Sequence, residues 1–168
     1  MRTWIKDPLA ILADDAAGGI VVEDGRISEC LAVGRQPSTH CDEIFEAAEC
    51  VVLPGLINTH HHFYQTLTRA YGPALDKELF DWLRTLYPVW AGLTPDYLHV
   101  ATRLALAELL LSGCTTAADH HYVFPEGLEN GVGIQADAAR ELGIRVTLTR
   151  GSMNLSVKDG GLPPVSVV

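Results

Sequence analysis

Three consecutive histidines, His60, His61 and His62, close the stretch VVLPGLINTHHH. Neutral imidazole is the commonest metal ligand among side chains. Successive side chains of an extended segment alternate faces, so His60 and His62 share one side and His61 takes the other. Two rings at this spacing can converge on one ion at the roughly 2.0–2.1 Å bonds that zinc makes to nitrogen. Imidazole also suits iron, nickel and copper, so the spacing points to a metal without naming it. A metal pair is the favoured reading of His60 and His62 over a surface coincidence. For His61, packing or solvent is the favoured reading.

The elements around these residues must deliver them to one place. CVVLPGLI is an apolar, β-branched run that leads into the histidines and predicts one buried parallel strand. LTPDYLHVATRLALAELLLSG predicts a helix with Thr94 as cap, Pro95 at its first position and Gly113 as its stop. CTTAAD predicts a second strand, GLENGVGIQADAARELGI a helix closing at Gly143, and IRVTLTRG a third strand. The connection from His62 to Thr94 is long, which predicts an active-site loop or an extra helix over LDKELFDWLRTLYPVW. Upstream lie short strands, with a hairpin turn at Asp24-Gly25. The tail GGLPPVSVV reads as loop. Strands alternating with helices predict an α/β chain with parallel β/α units, and the C-terminal strand ends of such units carry the chemistry in barrels.

Composition limits the function classes. Of 168 residues, 48% are hydrophobic and 20% charged, which fits a chain with a packed core. The length suits one domain, or one domain and part of another. The formal net charge of -9 argues against a nucleic-acid backbone or an anionic membrane as the main partner. Cys30, Cys41, Cys50 and Cys114 form no C-x-x-C pair and read as free thiols of a reducing cytosol, so a cytoplasmic location is expected. No apolar run suits a signal peptide or a membrane span.

VVLPGLINTHHHFYQ resembles the first barrel strand of the amidohydrolase superfamily, whose signature is P-G-h-h-(N/D)-x-H-x-H. GCTTAADHH resembles the second barrel strand, and the N-terminal strands resemble the small β-sandwich of such enzymes. Within the superfamily, HHHFYQTLTRA, LFDWLRTLYPVWAGLTPD and TTAADHHYVFP together resemble the 8-oxoguanine deaminases. The guanine, hydroxyatrazine and S-adenosylhomocysteine deaminases and the chlorohydrolases are near relatives of that branch.

The resemblance implies the N-terminal part of a metal-dependent (β/α)8 TIM barrel preceded by strands of a small β-sandwich. Residues 1–52 would be the sandwich portion, and residues 53–168 the first three strands and two helices of the barrel. It implies hydrolytic deamination of an oxidised purine such as 8-oxoguanine, with release of ammonia. An s-triazine amino- or chlorohydrolase is the alternative, and a non-catalytic metal-binding module or an inactive fragment also stays open. One divalent metal, zinc or else iron, would be held by His60 and His62. The partner would be a small heterocycle, and the full-length protein a homo-oligomer. Gln65 matches the position of a purine-contacting Gln in guanine-type deaminases, although a capping or solvated Gln is an equal reading. His120 or His121 would hydrogen-bond a purine oxygen, or else be a loop histidine. Trp82, Tyr87 or Trp90 would cover the face of a flat base. A complete barrel takes about 250 residues. The later ligands and the proton-shuttling Glu have no counterpart here, so the chain is expected to be part of a larger enzyme, with no catalytic residue of its own and no activity alone.

Overall fold

The computed structural model describes residues 1–168. The chain divides into two compact units, Met1–Pro54 and Gly55–Val168.

The first unit is built of short strands. Strand β1 (Arg2–Lys6) is followed by β2 (Ala10–Ile11), β3 (Gly19–Glu23), β4 (Arg26–Leu31), β5 (Glu43–Glu46) and β6 (Val51–Val52). Four of them make a sheet in the order β4-β3-β1-β5, antiparallel except for the parallel pair β1 and β5. β3 and β4 are joined at Asp24 and Gly25, whose φ values of 48° and 75° are both left-handed, the geometry that a D-G hairpin turn demands. Trp4, Val21, Leu31 and Cys41 form the unit's small core. All four cysteines are free thiols.

The second unit holds a parallel sheet in the order β7-β8-β9, from Leu56–Asn58, Cys114–His121 and Arg145–Arg150. Helices α1 (Leu79–Trp90) and α2 (Pro95–Leu111) lie between β7 and β8, and α3 (Gly131–Leu142) between β8 and β9. α2 begins where the sequence predicts. The Thr94 side chain accepts a hydrogen bond from the Tyr97 amide at 3.2 Å, and Pro95 occupies the first turn, where its missing N–H costs nothing. α3 ends at Gly143, which takes a left-handed φ of 72°. α1 occupies the long connection. The unit's core has two parts: one gathers Tyr64, Leu86, Trp90, Leu98 and Val123, the other Phe63, Ala105, Leu106, Ala117 and Ala139. No helix is long and apolar enough to cross a membrane.

Two expectations need correction. CVVLPGLI is not one buried strand. Val51–Val52 pairs with Ala10–Ile11, whereas Leu56–Asn58 pairs with β8, and the break falls at Pro54-Gly55. Proline has no amide to give to a ladder, and β7 is an edge strand with Leu56 58% and Ile57 69% exposed. The second strand also runs further than CTTAAD and includes His120 and His121, which decides the face on which each lies.

Candidate metal centre

β7 stops at Asn58, so the three histidines stand beyond the strand rather than on it. The rings of His60 and His62 nevertheless lie edge to face with centroids 5.0 Å apart. The His61 ring packs instead at 5.0 Å from Phe63. The three histidines, Gln65, Arg69 and Glu108 line a cavity of about 370 Å³.

What holds the histidine segment is the end of β8. The amide of His120 donates to the carbonyl of His61 at 3.0 Å. The Nδ1 of His62 lies 2.8 Å from the carbonyl oxygen of His120. A carbonyl only accepts, so Nδ1 carries the proton and the Nε2 lone pair is left for a ligand. Burial holds the His62 imidazole below the usual histidine range, which favours that neutral form. The Phe63 amide donates to Oδ1 of Asp119 at 2.5 Å. The other oxygen of Asp119 accepts from Nε2 of Gln135 in α3 at 2.7 Å. Asp119 is 2% exposed, and burial raises its carboxyl to about 6.

His120 and His121 part company because consecutive strand residues face opposite ways. His120 is exposed, with its ring 6.0 Å from that of His62 and its Nδ1 2.7 Å from the Thr149 hydroxyl. His121 is fully buried among the rings of Tyr64 and Phe124, at 5.2 and 4.6 Å, and neither of its nitrogens has a hydrogen-bond partner. Burial lowers its imidazole to about 4. The structure therefore brings His60, His62 and Gln65 to one cavity, sets His120 beside His62, and leaves His121 on the helix side of the sheet. Gln65 is half-buried in the 3-10 turn Phe63–Thr68 and donates to the Tyr64 hydroxyl at 3.1 Å.

The aromatic residues expected over a base are core residues. Trp90 is fully buried, and its Nε1 donates to Thr68 Oγ1 at 3.1 Å. Tyr87 is buried beside it, and Trp82 packs against the same cluster. Arg69 is exposed and pairs with Glu108 at 2.6 Å. No three His, Cys, Asp or Glu side chains stand close enough together to hold an ion. Asp119 and Gln135 are two residues of the site to which the histidine spacing does not point. Their signal was a carboxylate in the otherwise uncharged run CTTAAD and a glutamine on the buried face of a helix.

The profile of the amidohydrolase family matches residues 51–163. The chain belongs to the amidohydrolase family. It is 64% identical, over 99% of its length, to the 8-oxoguanine deaminase of Pseudomonas aeruginosa, of which it spans 38%. It is 40% identical, over 73% of its length, to the hydroxydechloroatrazine ethylaminohydrolase of a Pseudomonas species, of which the matched part is 26%. Among solved structures, the atrazine chlorohydrolase TrzN from Arthrobacter aurescens TC1, complexed with zinc, superposes with a TM-score of 0.84 at 27% identity. That likeness covers 99% of this amidohydrolase chain and 39% of the other.

Proposed function

We propose that His60 and His62 are two ligands of a single divalent metal, zinc, in an enzyme that hydrolytically deaminates an oxidised purine such as 8-oxoguanine. The observation that carries this reading is the 64% identity, sustained over 99% of the chain, to an 8-oxoguanine deaminase. The donor set fits a metal: two close imidazoles, one of them with its tautomer fixed by a backbone carbonyl so that the other nitrogen is unprotonated. When bound, such an ion acts as a Lewis acid that lowers the pKa of water towards about 7.

The chain's own residues bind and orient. Gln65 offers a carboxamide, donor and acceptor together, to the edge of a ring in the cavity beside His60. His120, its ring 6.0 Å from that of His62, contributes an imidazole edge. His121 serves the fold. Residues 53–168 are read as the opening of a (β/α)8 barrel, a reading supported by three parallel strands joined through helices with the histidines past the C-terminal end of the first. Residues 1–52 are read as strands of a small β-sandwich, supported by their two separate sheets.

A second reading, hydrolysis of an amino-substituted s-triazine, is favoured by the 40% identity to the hydroxydechloroatrazine enzyme. The test is ammonia or alkylamine release by the whole enzyme from 8-oxoguanine, guanine, isocytosine, hydroxyatrazine, adenosine and S-adenosylhomocysteine. The highest kcat/KM is expected for 8-oxoguanine. A higher value for hydroxyatrazine selects the second reading, and a higher value for either adenosine compound overturns both.

A further inference from the structure

Asp119 is a carboxylate that forms no ion pair, although it lies in the interior between a strand and a helix. Its neighbours Phe63 and Gln135 are both fully buried. Taking a carboxylate out of water is costly, and an apolar residue of similar volume would fill this space at lower cost. What the carboxylate gives in return is an anchor. Oδ1 takes the amide of Phe63, the residue directly after His62. That amide follows a segment in neither strand nor helix, since β7 ends at Asn58 and the 3-10 turn begins at Phe63. Asp119 also immediately precedes His120, whose amide and carbonyl hold His61 and His62. Three consecutive residues, His61 to Phe63, are thus tied in turn to two residues of β8, by two backbone groups and one side chain.

Gln135 completes the device. Its Nε2 donates to Oδ2 of Asp119 at 2.7 Å, and its own Oε1 has no partner. One oxygen of the carboxylate is held from α3, which aims the other at Phe63.

We propose that Asp119, oriented by Gln135, is the positioning residue that presets His62 for metal binding, so that α3 and β8 together set the metal affinity of the site. The inference rests on the reading of His60 and His62 as metal ligands. In this role Asp119 acts through the Phe63 amide and not as a ligand itself. Residues that orient metal ligands typically alter affinity by about 10–100-fold when removed.

The test compares zinc affinity, by competition with a chelator, in the whole enzyme and in three variants, with the unfolding temperature of each metal-free form. Asp119→Leu/Gln135→Leu replaces the polar pair by an apolar one. The metal-free protein should unfold close to the wild type, because relief from a buried carboxylate offsets the cost of leaving the Phe63 amide without its acceptor, whereas zinc should bind about 10–100-fold more weakly. Asp119→Asn keeps an acceptor for Phe63, and its amide can donate to the free Oε1 of Gln135, so its zinc affinity should stay close to wild type. Gln135→Leu leaves the carboxylate in place but unsteadied and should fall between the two. Unchanged zinc affinity in the folded double variant, or in Gln135→Leu if the double variant does not fold, overturns the inference. So does a loss in Asp119→Asn as large as in the double variant. If the wild-type enzyme binds no zinc, or His62→Ala binds it as well as wild type, the metal reading itself fails, and that outcome is distinct from the others.

Discussion

The Nδ1 of His62 points its proton at the carbonyl oxygen of His120, 2.8 Å away, across 58 residues of sequence. One backbone acceptor thereby decides which nitrogen of a candidate ligand is free. Replacing His120 by another residue keeps that carbonyl, so the tautomer of His62 does not depend on the side chain of its partner.

His60→Ala and His62→Ala are each expected to weaken zinc binding by the whole enzyme more than tenfold, as loss of a ligand should exceed the roughly 10–100-fold effect of outer groups at its lower end. His61→Ala should retain the metal, since its ring packs on Phe63. Elemental analysis after dialysis checks this. Loss of zinc in His61→Ala with retention in His60→Ala contradicts the assignment.

His121 and Asp119 are expected to pull stability in opposite directions as pH falls. His121 has a folded pKa of about 4 against an ordinary value of 6.5, so the unfolded chain takes up a proton first, and stability is lost between pH 6.5 and 4. Asp119 has a folded pKa of about 6 against 3.8, so the folded chain takes up its proton first, and stability is gained over nearly the same window. Each effect is on the order of 3 kcal/mol, and the two largely cancel. Urea unfolding at about pH 7 and about pH 4.5 separates them. Relative to wild type, His121→Leu should gain stability in acid and Asp119→Asn should lose it. The same pH dependence in all three proteins would contradict the burial argument.

Gly151 is expected to tune His120. A Cβ at this position would lie 2.9 Å from Nε2 of His120 and 2.7 Å from Cβ of Tyr122, closer than real contacts allow. Gly151→Ala should therefore displace the His120 ring while leaving the His60 and His62 pair alone. In the whole enzyme, KM for the preferred substrate should rise more than kcat falls, with zinc content unchanged. An unchanged KM would remove His120 from the substrate site.

The 168-residue chain by itself is expected to associate. β7 and β9 both leave a sheet edge unpaired, Ile57 is 69% exposed, and Leu111 at the end of α2 is 90% exposed. Sedimentation velocity and a dye that reports apolar surface should show species larger than a monomer and strong dye binding. A monodisperse monomer without dye binding would contradict the expectation.

What could be read from sequence was local. Thr94, Pro95, Gly143 and the Asp24-Gly25 turn act within a few residues, and each does what its chemistry predicts. The pairing of His60 with His62 was legible too, although the strand thought to impose it ends two residues earlier. Three features were not legible. Val51 and Val52 look continuous with Leu56, yet a proline between them sends the two pieces to different sheets. The face taken by His121 depends on how far β8 continues, which only its pairing with β9 decides. The Asp119–Gln135 pair depends on a helix packing over a strand 16 residues away, and no local pattern records that.

The ties between the histidine segment and β8 also set an order of assembly. His62 and Phe63 reach partners 58 and 56 residues further along the chain, so their geometry exists only after a long loop has closed. Closing such a loop costs entropy that no contact within the segment returns beforehand. A chain emerging from the ribosome presents its histidine triplet well before residues 119 and 120 arrive to hold it. Until then the imidazoles are those of a flexible peptide, and the backbone acceptor that sets the tautomer of His62 is not yet in place. If His60 and His62 are the ligands proposed above, their preset geometry is a late product of folding, following the docking of the central strand.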